Sequence, residues 1–208
     1  MRARKTETEI RKEQIIEAAL DLIAAKGIYA LSISGIARRV GIVPSAFYRH
    51  FSSKEDVLAG VLEAVKNRLL DNVVHTRNET PDAIERLRLL MMRHVEMLRK
   101  NRAVPYIVFS DGIHTGDSGL KAKVVHTITT YLAEVEKIIE EGKQNGAIAE
   151  DVAPGTAAVL FLGVVLPAAV LSNLTEGGFD MIGHVKRAWP VFARSITTNA
   201  WIKDVKLS

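Results

Sequence analysis

The chain has 208 residues, 48% of them hydrophobic, with 28 Lys and Arg against 24 Asp and Glu for a net charge of +4. That length holds one or two compact domains with a real core, and the composition is that of an ordinary soluble globular protein. There is no cysteine, which excludes a disulfide framework and thiolate chemistry and fits a reducing cytoplasm.

Three of the four net positive charges fall on residues 1–60, which carry 10 Lys and Arg against 7 Asp and Glu. Arg2, Arg4, Lys5, Arg11 and Lys12 make a basic arm. Such an arm either follows a phosphate backbone or minor groove or is a solvated tail. The start of the chain is charged through Lys12 with no apolar run behind it, so no secretory leader is expected and a cytoplasmic location is. From Glu9 to Lys26, Ile15, Ile16, Ala19, Leu22 and Ile23 form an amphipathic stripe closed by Gly27.

Residues Ser32 to Lys54 read as two short helices around a tight glycine turn, with a serine-capped third helix behind them. Ser32 can cap a helix from Ile33 to Val40. Ile36, Ala37 and Val40 share its apolar face, and Arg38 and Arg39 fall outside that face. Gly41 takes the positive φ needed to reverse the chain. The second helix begins near Pro44, whose fixed φ suits the first helical position. Phe47 and Phe51 point inward, which leaves Ser45, Ala46, Tyr48, Arg49 and His50 outward, a surface fit for a DNA groove. Ser53 caps the next helix with Glu55 and Asp56 in its first turn. Lys54 opposes the helix dipole there, and a phosphate partner would explain it.

From Lys54 to about Val74, Val57, Leu58, Val61, Leu62, Val65 and Leu69 recur at helical spacing, long enough to link two domains mechanically. Thr80-Pro81-Asp82 reads as an N-cap, a proline at N1 and an acid at N2. The helix it opens carries Ile84, Leu87, Leu90, Met91, His94, Val95 and Leu98. A short apolar segment, Tyr106 to Phe109, precedes a loop from Asp111 to Gly119. Leu120 to Asn145 shows a clear helical repeat ending at Gly146.

Only the run from Ala157 to Leu171 looks membrane-like. Its fifteen residues reach about 22 Å as a helix, short of a hydrocarbon core of roughly 30 Å, and Gly163 and Pro167 interrupt it. Burial in protein is therefore expected. The last helix, about Asp180 to Ala200, carries Val185, Trp189, Phe192 and Ile196, and Pro190 should kink or divide it. No segment alternates with period two, so the expected fold class is all-α.

On Gly27, Ser32 with Ile36-Ala37, Gly41, and Ala46-Phe47-Tyr48-Arg49-His50-Phe51 followed by Ser53-Lys54-Glu55, the chain resembles the TetR family of bacterial transcriptional repressors. The likeness is specific over roughly residues 10 to 60; beyond them the layout of a helical domain matches. Val43 departs from the family pattern, which often has a serine, threonine or acid as helix cap, and costs a cap worth roughly 1 kcal/mol.

The resemblance implies a helix-turn-helix DNA-binding domain over 1–53 and a helical effector-binding and dimerisation domain over 54–208. Tyr48, His50 and Lys54 match positions that grip phosphates, joined by the hydroxyls of Ser32 and Ser34. Pro44, Ser45, Ala46 and Arg49 match positions that approach base edges, and Arg49 has the geometry for bidentate recognition of guanine. A pocket is implied among Met91, Tyr106, Phe109, Tyr131 and Phe161, with His94 and His126 as polar anchors. It would take an apolar or amphipathic effector that releases the protein from DNA or, alternatively, acts as co-repressor. A homodimer through the last two long helices is implied. Physical reasoning agrees, because those helices carry more apolar surface than one small subunit covers, and a twofold dimer reads a palindrome. No cofactor, metal or membrane is expected.

Two other classes compete. Asp111, His114 and Asp117 on one loop could make a metal or acid/base site of a hydrolytic enzyme, although no second histidine, nucleophile elbow or phosphate loop accompanies them. A helical protein-interaction adaptor would explain the apolar helices but not the surface of Tyr48, Arg49 and His50.

Overall fold

The computed structural model describes residues 6–111 and 118–197, and among them the regular structure is helical, without a strand. Helix α1 spans Glu7–Lys26. Its start, two residues earlier than the apolar stripe indicates, comes from a capping box. The Thr6 hydroxyl accepts from the Glu9 N–H at 3.2 Å, and the Glu9 carboxylate accepts from the Thr6 N–H at 2.7 Å, so two otherwise unpaired donors are satisfied together. A short 3-10 turn, Ile28–Ala30, follows.

Helices α2 (Ile33–Val40) and α3 (Pro44–Phe47) are the expected pair. Gly41 sits at φ 75° between them. The chain reverses in a Schellman arrangement, with the Gly41 N–H donating to the Arg38 carbonyl at 3.3 Å and the Ile42 N–H to that of Ala37 at 3.0 Å, which satisfies carbonyls the helix end leaves open. Helix α3 is a single turn, continued by bonds from the Arg49 N–H to the Ala46 carbonyl and from the His50 N–H to the Phe47 carbonyl. Helix α4 then runs over Lys54–Glu79, beyond the limit near Val74 that its apolar spacing marks.

Helix α5 is Ala83–Lys100. Its cap is Asp82 rather than Thr80, because the Asp82 carboxylate accepts from the Glu85 N–H at 2.9 Å while Thr80 Oγ1 accepts from the Asp82 N–H at 3.1 Å. Pro81 thus stands before the cap, outside the helix. The apolar segment around Tyr106 is itself helix α6, Ala103–Val108. Helix α7 is Ser118–Gln144, α8 is Pro154–Leu174 and α9 is Met181–Ile196. Pro167 and Pro190 lie inside α8 and α9 without dividing them. Both prolines are exposed, as are Gly163 and Lys186 one turn earlier, so the carbonyls that lose a partner there lie on the exposed side.

At 21 residues, α8 is longer than the apolar run inside it, so the length argument against a membrane span does not hold. It is the one helix among the described residues long and apolar enough to cross a bilayer. Its inner side packs on α9, where the Phe161 and Phe192 rings meet edge to face at 5.9 Å.

The chain forms two compact units, residues through Arg68 with Lys100–Ile128, and Leu69–Arg99 with residues from Thr129 onward. In the first unit one core joins Ile15, Ile23, Ile36, Phe47, Phe51 and Val61 to Ala103, Ile107 and Val124. Each large side chain there contributes about 1.5–3 kcal/mol by leaving water. Arg68 adds a polar tie, donating to Asn101 Oδ1 at 2.7 Å and pairing with Glu17 of α1. In the second unit, Glu141 receives Arg77 at 2.7 Å and Arg86 at 2.5 Å.

Candidate nucleic-acid interface and effector site

The outward surface of the helix pair is held from behind. Phe47 and Phe51 are buried with ring centroids 6.1 Å apart, and Lys12 of α1 lies over the Phe51 ring at 5.9 Å, a favourable cation–π arrangement. With α3 locked, Pro44, Ser45, Tyr48 and Arg49 are exposed, and Ala46 and His50 are half-buried. Tyr48 is 58% exposed and meets Phe47 edge to face at 5.6 Å, so its ring is braced on one side and open to solvent on the other. Val43 at the cap position makes no side-chain cap bond, as its chemistry requires.

The remaining residues have defined states. Ser32 Oγ accepts from the Gly35 N–H at 3.2 Å, which leaves the hydroxyl proton free to be donated outward. Ser34 is exposed. His50 Nδ1 is buried without a hydrogen-bond partner among the described residues, so an outside contact falls to Nε2. Ser53 Oγ accepts from the Asp56 N–H at 3.1 Å and caps α4, and Asp56 in turn accepts from the Ser52 N–H at 2.9 Å. Lys54, Arg38 and Arg49 make no ion pair among the described residues. Arg39 is different: both Nε and Nη2 contact Asp21 Oδ2, at 3.1 and 2.7 Å, so its charge fastens α2 to α1. Sequence reasoning passed over Tyr29, 78% exposed on the turn just before Ser32, because an isolated aromatic in a loop has no periodic signature.

The seven residues singled out for an effector pocket do not behave alike. Tyr106 and Phe109 are exposed in the first unit, as is His126. Met91, His94, Tyr131 and Phe161 are buried in the second. Of the seven, the structure brings together His94 and Tyr131, whose rings stand edge to face at 5.1 Å. Burial lowers the His94 pKa to about 4 and raises that of the Tyr131 hydroxyl above its ordinary value, so both are uncharged at neutral pH. The first unit also contains an apolar cavity of about 20 Å³ lined by Leu62 and Val65 of α4, Val104, Ile107 and Val108 of α6, and Val124, Thr127 and Ile128 of α7. Its one hydroxyl, on Thr127, donates to the Lys123 carbonyl at 2.9 Å. None of these lining residues is assigned to a pocket by the sequence, since helical spacing shows which side is inward but not where packing leaves space. Asp111 of the loop considered for catalysis is exposed, and His114 and Asp117 lie outside the described residues.

A helix-turn-helix held from behind by buried phenylalanines, with its polar side chains turned outward, is the arrangement of a DNA-binding protein. The model of bacterial regulatory proteins of the tetR family matches residues 15–61, and that of the YsiA-like protein C-terminal region matches residues 63–194. The chain belongs to the TetR family of bacterial transcriptional regulators. It is similar to the fatty acid metabolism regulator protein of Bacillus subtilis strain 168, with 24% identity over 169 residues that cover 81% of this chain and 87% of that one. Its fold is similar to that of FadR from Bacillus halodurans, with a TM-score of 0.79 and 22% identity over 92% of this chain and 97% of the other. The transcriptional regulator FadR from Bacillus subtilis, solved in complex with stearoyl-CoA, gives a TM-score of 0.76 and 23% identity over 87% and 97%. The protein is thus a ligand-responsive DNA-binding transcriptional regulator and not an enzyme. Regulators of this kind bind DNA and small-molecule effectors, typically as dimers.

Proposed function

We propose that the protein is a cytoplasmic repressor that binds a palindromic operator as a homodimer and is released by an amphipathic effector with an acyl chain. Residues 1–53 form its DNA-reading part, and residues 54–208 its effector and dimer part. The observation that carries this reading is the exposed set of Ser45, Tyr48 and Arg49 on a helix fixed from behind by Phe47 and Phe51. Pro44, Ser45, Ala46 and Arg49 approach base edges; Arg49 offers the planar fork that pairs with guanine O6 and N7. Ser32, Ser34, Tyr48, His50 and Lys54 grip phosphates, and the Tyr29 hydroxyl joins them.

The dimer forms through α8 and α9. Val159, Leu160, Leu171 and Leu174 on α8 and Val191 on α9 are exposed in one subunit, and an apolar surface of this kind is stabilised by a second copy. Two helix-turn-helix units related by a twofold axis then meet half-sites on one side of the duplex.

The acyl character of the effector is supported by the apolar lining of the cavity on α4 and by the stearoyl-CoA bound to the Bacillus subtilis FadR. A volume of about 20 Å³ is far below the ~300–1,000 Å³ of ordinary ligand pockets. An entering chain must therefore spread α4, α6 and α7, and α4 begins at Lys54 beside the DNA-reading helix. Ligand selects that spread state, and DNA selects the closed one. A coupling of ~1–3 kcal/mol corresponds to about 5- to 150-fold weaker operator binding.

Fluorescence anisotropy with a labelled duplex tests the reading. Steeply salt-dependent binding, weakened by stearoyl-CoA, is the expected result. Binding without salt dependence would remove the phosphate contacts, and binding insensitive to every acyl-CoA tried would remove the effector class.

A further inference from the structure

Val43 stands where the DNA-reading helix starts and is 63% exposed. It occupies the N-cap position of α3 with an extended backbone and makes no side-chain cap bond. Ser32 and Ser53, at the starts of the helices on either side, both cap through Oγ, at 3.2 and 3.1 Å. A serine or threonine with the same backbone at position 43 could do likewise. Pro44, the next residue, is exposed and has no N–H, so this single turn presents carbon rather than donors at its start. Places where a chain gives up a local stabilising choice are commonly places of function. The uncapped valine is continuous along the chain with Pro44, Ser45 and Arg49, the exposed residues of the DNA-reading surface. In the major groove the apolar group that a base edge offers is the 5-methyl of thymine.

We propose that Val43, with Pro44 beside it, recognises thymine by its 5-methyl group and is a specificity-determining residue of this protein. This rests on the reading of α3 as the DNA-reading helix and names the base that its apolar part selects. Contact with the branched Val43 side chain and the Pro44 ring takes the thymine methyl out of water. A base without that methyl forfeits the contact, and a polar side chain at position 43 would give the methyl a poorer partner. Arg49 selects guanine through hydrogen bonds, so the two residues distinguish different bases by different chemistry.

The test uses the full chain with operator duplexes obtained by selection from random DNA. Each thymine is replaced in turn by deoxyuridine, symmetrically in both half-sites, and anisotropy reads the affinity. Deoxyuridine pairs as thymidine does and lacks only the 5-methyl. For the unaltered protein a thymine is expected at which the replacement costs about 4-fold in each half-site, the size of one methyl group leaving water. Val43→Ser should bind thymine and deoxyuridine alike at that position, Val43→Ala should lose most of the difference, and both should keep the response at every other thymine. The melting temperature of Val43→Ser should hold or rise, since its hydroxyl can cap α3. A valine with a purely structural role would give the reverse, lower stability in both variants and an unaltered response to single methyls. Half-sites without such a thymine, or a methyl response that persists in both variants, would overturn the proposal and leave DNA reading by α3 in place. Absence of salt-dependent binding to any duplex would overturn it together with that reading.

Discussion

Arg39 holds Asp21 with two nitrogens, at 3.1 and 2.7 Å, whereas Arg49, ten residues on, makes no ion pair among the described residues. The two guanidinium groups therefore do different work. Both partners of the Arg39 pair are about half exposed, so solvent screening limits the pair to about 0–1 kcal/mol of stability. Arg49 is uncommitted and available to DNA.

Arg49→Ala is expected to relax base preference at one position in each half-site, at a cost of ~1–3 kcal/mol. Lys54→Ala should instead weaken binding to all sequences alike and reduce the salt slope by about 1. Competition titrations against operator and random duplex at several salt concentrations separate the two. Equal loss of specificity in both variants would contradict the division of roles.

Much of this surface was legible in the sequence. Ser32, Gly41, Pro44 and Ser53 act locally, and each takes the cap or turn geometry that its own chemistry favours, so reading them required no knowledge of distant contacts. Thr80 and Asp82 are harder, since both can cap, and the bond from the Glu85 N–H to the Asp82 carboxylate decides for Asp82. The apolar repeat of α4 weakens near Val74 although the helix continues to Glu79, so spacing alone marks its end too early. Least legible was the membership of Ala103 and Ile107 in the same core as Ile15 and Ile36. That association brings together residues some seventy to ninety positions apart, about which periodicity says nothing. The space between α4, α6 and α7 is likewise a product of packing.

Val124 lines the cavity on α4 and is almost fully buried. Val124→Phe overfills that space and should mimic a ligand. Operator binding without effector is expected to fall about 5- to 150-fold, with a stability cost of ~1–3 kcal/mol from overpacking. Circular dichroism establishes that the variant is folded, and anisotropy reads the affinity. Unchanged operator binding by a folded variant would disconnect the cavity from the DNA-reading helix.

His94 makes stability depend on pH. Its pKa is about 4 in the folded protein because burial disfavours the charged ring, against about 6.5 when unfolded. Below pH 6.5 the unfolded chain takes up the proton first. Stability from this group is thus complete above pH 6.5, falls as pH drops toward 4, and levels off below, for a loss of about 3 kcal/mol. Urea unfolding of the protein and of His94→Leu at pH 7.5 and pH 4.5 measures it. The variant should lose less stability between the two than the unaltered chain, and parallel losses would show that His94 does not titrate this way.

Leu160 is exposed on α8 beside Val159, so a charge there should spare the fold of the subunit and disrupt pairing. Leu160→Glu is expected to bring the mass in light scattering at micromolar concentration down to one chain and to abolish tight binding to a palindromic duplex. A dimer of undiminished stability would place the interface elsewhere.

The central claim, that two copies of the Gly41 turn and its following helix read one duplex, is tested most directly by selecting bound fragments from random double-stranded DNA. The account predicts enrichment of a palindrome whose half-sites lie about one helical turn, or a multiple of it, apart. A bound population without dyad symmetry, or no enrichment over the starting pool, would contradict it.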